Sequence, residues 1–139
     1  MIKNDVVITG ANRTAVGSLG RSLKNISGEE LGAAVISEAI IRSKIKPSDV
    51  DEVIMGQVLT GGSGQNPARQ AAIRSGVPKE KPAYIVNQVC GSGIRSVASG
   101  FQSIKAGDSK IVIAGGQESM SLAPHAIHLR DGKKLGDAQ

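Results

Sequence analysis

Four short apolar runs alternate with three stretches that carry helix-start signals, and this order limits the fold more than any other feature of the chain. The runs are Asp5 to Gly10, Val53 to Leu59, Tyr84 to Gln88 and Lys110 to Ala114. Each is short, rich in β-branched residues or closed by turn residues, and reads as a strand. Ser27 with Glu30 three residues on is a capping box, opening a helix through Leu31 to Ser43 with Pro47 just beyond. Asn66-Pro67 places an N-cap residue before a proline at the first helical position, for a helix reaching about Ser75 with Gly76 as its cap. From Cys90 onward, Ile94, Val97, Ala98, Phe101 and Ile104 recur at steps of three and four and end near Gly107. That apolar face is expected to meet the sheet, leaving Ser92, Ser96, Ser99 and Gly100 for close packing by further elements. Lys110 to Ala114 is unalternated, so it is expected to be buried on both faces. Strands alternating with helices through short connections predict an α/β fold, a parallel sheet with right-handed crossovers and helices on its faces. Gln117 to Gln139 has no period and reads as loop.

The chain has 139 residues, 40% of them apolar and 21% charged, which fits one globular domain and excludes disordered and fibrous classes. A single Cys forbids an intrachain disulfide, and the start Met-Ile-Lys-Asn-Asp has no secretory signal, so a reducing cytoplasm is expected. No run approaches the roughly 18 apolar residues that span a bilayer, so no membrane role is expected. The net charge of +5 favours anionic partners. Nucleic acid is not among the expected ones, because Tyr84 and Phe101 are the whole aromatic complement and no zinc-finger set or basic helix is present. A small ligand bearing phosphates would use the same field.

Cys90 sits where a strand turns into a helix, within N-Q-V-C-G-S-G (Asn87 to Gly93). A thiol at a helix N-terminus meets the positive end of the macrodipole and free N–H groups, which favour the nucleophilic thiolate. Gly91 and Gly93 carry no side chains to block an approaching acyl carbonyl, and backbone N–H groups can face its developing oxyanion. Equally, a lone Cys can be a small buried hydrophobe and the glycines a tight turn; position alone leaves both readings open. Gly61 to Gly64 fits no phosphate-binding fingerprint and reads as a loop needing positive φ. His125 and His128 lack the further ligands a zinc site needs, so no metal is expected. Arg130, Lys133 and Lys134 form a short basic cluster, either a solvated face or an anion attractor.

With N-Q-V-C-G-S-G and G-Q-N-P-A-R-Q-A-A (Gly64 to Ala72), the chain resembles the thiolases, in their acetyl-CoA acetyltransferase branch. The resemblance extends through R-T-A-V-G-S (Arg13 to Ser18), A-G-G-Q-E-S-M-S (Ala114 to Ser121), A-P-H (Ala123 to His125) and H-L-R-D-G-K-K-L-G-D (His128 to Asp137), in family order. It implies a thiolase-like N-terminal domain over residues 1–118, incomplete at its C-terminal end, with the start of a loop domain over 119–139. The enzymes it resembles condense two acetyl-CoA molecules or cleave acetoacetyl-CoA with free coenzyme A, in fatty acid metabolism. Cys90 matches the nucleophile that carries the acetyl group as a thioester, and its backbone N–H matches half of an oxyanion hole. No cofactor is implied, since the coenzyme A thioester is itself the substrate. The segment holding His128, Arg130, Lys133 and Lys134 resembles a cationic tetramerisation loop.

The family's N-E-A-F, G-H-P and C-x-G motifs are not in these residues. Their Asn, His and Cys complete the second oxyanion hole, activate the nucleophile and act as acid/base, and His125 and His128 match neither position. The chain alone is therefore expected to be inactive, and to form a homo-oligomer or bind a complementary C-terminal thiolase polypeptide. Two other readings stay open: a non-catalytic assembly module that uses the same sheet and loop, and a decarboxylating ketoacyl synthase, against which the Gly64 to Ala72 string speaks.

Overall fold

The computed structural model describes residues 5–128. Helix α1 spans Gly28–Ser43, and its start follows from local chemistry: Glu30 N–H donates to Ser27 Oγ at 3.3 Å while Ser27 N–H donates to the Glu30 carboxylate at 2.9 Å. That reciprocal bond, first from the Ser27 N–H and then from its hydroxyl, holds the Glu30 carboxyl below its usual range. A short 3₁₀ turn, Pro47–Asp49, leads into strand β1, Glu52–Gly56. Helix α2, Pro67–Arg74, begins at Asn66, whose Oδ1 accepts from Arg69 N–H at 3.1 Å. Strand β2 is Ala83–Val86, helix α3 is Ser92–Ala106 and strand β3 is Val112–Gly116, with Gly107 closing α3 at φ 89°. A second 3₁₀ turn, Met120–Leu122, follows β3 inside the segment expected to be loop.

The sheet is parallel with order β2-β1-β3, in register Val53 to Ala83 on one side and Glu52 to Val112 on the other. Central β1 is the strand buried on both faces, with Val53 and Ile54 both 0% exposed. Val53 and Met55 join Ile36, Ile40, Ala68, Ala71, Ala72 and Val77 in one core with α1 and α2. Each fully buried side chain of Val or Ile size in that core contributes roughly 1.5–3 kcal/mol. The opposite face meets α3 at contact distance. A Cβ built on Gly56 would lie 2.4 Å from the Ser92 carbonyl carbon, and one on Gly100 3.0 Å from a Val112 methyl.

Three expectations are corrected. Asp5 to Gly10 is not a strand. Its neighbourhood runs beside α1 instead: Thr9 Oγ1 donates to Ser43 Oγ at 3.1 Å, Arg42 Nη1 to the Ala11 carbonyl at 3.2 Å and Asn12 Nδ2 to the Val35 carbonyl at 3.0 Å. A β-branched run becomes a strand only against a ladder partner, and no described strand lies alongside, so Val7 and Ile8 stay 71% and 79% exposed. The strand expected at Lys110 to Ala114 is displaced to Val112–Gly116 and only half-buried, because among the described residues it lies at the sheet edge with one neighbouring strand. Finally, α3 turns its small residues to the sheet: Ser92, Ser96 and Gly100 are buried, while Ile94 and Phe101 are 74% and 49% exposed. The helix lies too close to Gly56 and Val112 for larger side chains to fit between, so the periodic apolar stripe faces outward.

Candidate active site

The end of β2 and the start of α3 are joined by five residues, Asn87 to Gly91, that reverse the chain in a very tight turn. Gly91 N–H donates to the Gln88 carbonyl at 3.0 Å and Ser92 N–H to the Val89 carbonyl at 3.1 Å. Cys90 lies in this turn, just ahead of the N-cap residue Gly91, and is exposed. It is thus at the helix N-terminus and neither mid-strand nor mid-helix, as the strand-to-glycine-to-helix pattern predicts.

Val89 has φ 51°, the left-handed region that a β-branched residue enters only at a cost on the order of 1–3 kcal/mol. Two side chains hold it there. Val89 N–H donates to Asn87 Oδ1 at 3.0 Å, and the Val89 carbonyl accepts from Ser92 Oγ at 2.6 Å. The same Ser92 hydroxyl accepts Gln88 N–H at 2.8 Å, and Ser92 is 4% exposed, so it is committed to closing the turn.

Beneath the turn, the C-terminal ends of β1 and β3 are joined by side chains sixty positions apart in sequence. Gln117 Nε2 donates to Gln57 Oε1 at 2.9 Å in the interior, and Gln57 Nε2 donates onward to the Leu59 carbonyl at 3.0 Å. The Glu118 carboxylate accepts from Val58 N–H at 2.8 Å and Leu59 N–H at 3.2 Å. Asn87 Nδ2 donates to the Val58 carbonyl at 3.3 Å, so the loop after β1 is gripped from both sides. A cleft of about 760 Å³ opens between residues 12–19, α1 and β3, and Cys90, Gln117 and Ser119 are on its walls.

Cys90, Gly91 and Gly93 come together in this turn. Gly93 faces Gly116, its would-be Cβ 3.9 Å from the Gly116 α-carbon, and a Cβ built on Gly91 would lie 3.2 Å from the Gln88 carbonyl oxygen. Gly62 and Gly64 take φ 75° and 74°, the backbone need read for that loop. His125 and His128 are exposed, beyond the second 3₁₀ turn. Arg130, Lys133 and Lys134 lie outside the described residues. The sequence reading passed over Asn87, Ser92, Glu118 and the two glutamines. A signal for the glutamines existed, since Gly-Gln recurs within the Val53 run, at 56–57, and just beyond the Lys110 run, at 116–117. Glu118 stands in the A-G-G-Q-E-S-M-S string, but no short-range signal points to its partners at Val58 and Leu59.

Residues 6–139 match the family model for the thiolase N-terminal domain. Acetyl-CoA acetyltransferases of Rhizobium meliloti and Cupriavidus necator are 54% and 58% identical to the chain over 99% and 97% of its length. The chain spans 35% of the length of each of these relatives. The crystal structure of the Bacillus anthracis acetyl-CoA acetyltransferase superposes with a TM-score of 0.87 at 37% identity, over 96% of this chain and 34% of that one. Sequence and fold agree on an α/β unit in which β2 delivers a cysteine to the start of α3, and this chain belongs to the thiolase family, through its N-terminal domain.

Proposed function

We propose that this chain supplies the nucleophilic part of an acetyl-CoA C-acetyltransferase, with Cys90 as the residue that carries the acetyl group. The observation that carries the reading is the placement of Cys90, exposed on the cleft in a tight β2-to-α3 turn whose backbone is held in a costly conformation. In the proposed reaction the Cys90 thiolate attacks the thioester carbonyl of acetyl-CoA, the carbon–sulfur bond to coenzyme A breaks, and coenzyme A leaves as thiol after taking a proton. The tetrahedral oxyanion formed on the way is stabilised in part by the Cys90 backbone N–H. Attack on the acetyl-enzyme by a second partner, free coenzyme A or the enolate of acetyl-CoA, completes thiolysis or condensation. Gly91, in the turn, keeps the approach free of a side chain, while Gly93 lets α3 lie close against Gly116. No cofactor takes part.

The groups that activate the thiol and move the remaining protons belong, in this reading, to a complementary thiolase segment, so the chain alone does not turn over. Within it, residues 1–118 form the N-terminal domain and 119–139 begin the loop domain, with His128, Arg130, Lys133 and Lys134 in a tetramerisation-type loop. The reaction belongs in the cytoplasm. Among the described residues no helix is long and apolar enough to cross a membrane. The outward apolar face of α3 supports an oligomer or a partner polypeptide, and by itself would also suit an assembly module without chemistry.

Mass spectrometry after incubation with acetyl-CoA separates these readings. One acetyl group on Cys90, absent from Cys90→Ser, with no acetoacetyl-CoA cleavage above background is the expected result. Failure of Cys90 to take up acetyl from acetyl-CoA, even with a complementary thiolase segment supplied, would refute the nucleophile, and robust thiolysis by the chain alone would refute its dependence on a partner segment.

A further inference from the structure

Three non-glycine residues have positive φ among those described: Lys44, Asn66 and Val89. Lys44 caps the C-terminal end of α1, where a left-handed residue is common, and Asn66 is of a residue type that enters the left-handed region readily. Val89 is different. It is β-branched, 66% exposed, and immediately precedes the residue proposed to do chemistry. Nothing in its own side chain favours the left-handed region, so the conformation must be imposed from outside.

Two side chains impose it. Asn87 Oδ1 takes the Val89 N–H, and that acceptor is itself aimed because Asn87 Nδ2 is engaged by the Val58 carbonyl. The Val58 loop in turn hangs on the Glu118 carboxylate through two backbone N–H groups. On the far side, buried Ser92 takes the Val89 carbonyl and closes the turn onto α3. A relay of bonds therefore runs from the end of β3, through the loop after β1, to the peptide unit that aims Cys90.

We infer that Asn87 is a positioning residue for the Cys90 sulfur, acting through the left-handed backbone of Val89. This rests on the reading of Cys90 as the acyl-carrying nucleophile. Asn87 touches no reacting atom. Its effect is to keep Val89, and with it the Cα–Cβ direction of Cys90, in the one orientation that presents sulfur to a thioester. Without the Oδ1 acceptor, Val89 relaxes toward negative φ and Cys90 turns with it.

A double-mutant cycle on the full chain tests this, with the rate of Cys90 acetylation by acetyl-CoA as one readout. The second is the intraresidue HN–Hα nuclear Overhauser effect of residue 89, which is strong at positive φ. Asn87→Ala is expected to slow acetylation by about tenfold or more, as small misplacements of a reacting atom do, and to weaken the Overhauser signal. Glycine adopts positive φ unaided, so in a Val89→Gly background the same substitution is expected to cost less than about threefold. A merely structural Asn87 would cost the same in both backgrounds, and that result overturns the inference, as does an Asn87→Ala chain that acetylates at the unsubstituted rate. Should Asn87→Ala not fold, Asn87→Gln breaks the same bond and carries the cycle. If the unsubstituted chain is not acetylated even with a complementary thiolase segment supplied, the functional reading falls, and the Overhauser signal alone then decides. A signal kept in Asn87→Ala overturns the hold on Val89, and a signal lost upholds it.

Discussion

Replacing Gly56 by alanine puts a methyl group where α3 begins. The added Cβ would lie 2.4 Å from the Ser92 carbonyl carbon, 2.5 Å from Gly93 N and 2.6 Å from Ser92 O. Ordinary contact starts near 3.4 Å, so the strand and the helix must part by about 1 Å at this point. All three obstructing atoms are backbone, and no rotamer change relieves them. Overpacking of a tight interior costs typically 1–3 kcal/mol, and simultaneous conflict with three backbone atoms places Gly56→Ala at the top of that range, about 3 kcal/mol. That is a large share of the roughly 5–15 kcal/mol that stabilises a domain. Urea unfolding followed by far-ultraviolet circular dichroism measures it, with the midpoint expected to fall and the slope to stay the same. Gly61→Ala is the control, since a Cβ there meets only Pro124 Cγ, at 3.7 Å, and the expected change is within about 0.5 kcal/mol. A Gly56→Ala chain within about 0.5 kcal/mol of the unsubstituted one, or a Gly61→Ala chain equally damaged, would refute the close-approach argument.

Two more expectations concern charge and association. The Asp51 carboxylate accepts from Lys110 N–H at 2.9 Å and Ile111 N–H at 3.1 Å and pairs with Lys81 Nζ at 3.3 Å, and these contacts, Lys110 first, hold its carboxyl below the usual 3.8. A depressed carboxyl stabilises the fold above its unfolded value, and the gain is lost as pH falls through the folded one. Asp51→Asn should therefore cost about 1 kcal/mol at neutral pH, discounted for partial exposure, with the gap steady to about pH 5 and closing below the usual carboxylate range. A gap that persists at strongly acid pH contradicts this. Sedimentation velocity at micromolar concentration should show the unsubstituted chain self-associating through α3, with Ile94→Lys combined with Phe101→Glu shifting it toward monomer. A monodisperse monomer before any substitution would remove that role from the exposed face.

What the sequence determined by itself is what is decided within three or four residues. Ser27 and Glu30 form their capping box, Asn66-Pro67 opens α2, Gly107 closes α3, and Cys90 falls in the turn ahead of α3, because each signal and its partner lie in the same helical turn. The thiolase motifs were legible too, and the family match over residues 6–139 agrees with them. Tertiary structure decided the rest. The period of α3 reported that Ile94, Val97 and Phe101 share a face, but whether that face meets the sheet depends on Gly56 and Gly100, which let the backbones approach until only Ser92 and Ser96 fit between. Asp5 to Gly10 has the composition of a strand, yet a strand is a relation to a neighbour, and Thr9 in the run and Asn12 just after it bond to α1 instead. Glu118 on the loop after β1 and Gln117 on Gln57 are contacts between the ends of two strands about sixty positions apart. Local pattern carries no record of such pairs, because the sheet register that brings them together is set only when the whole unit packs.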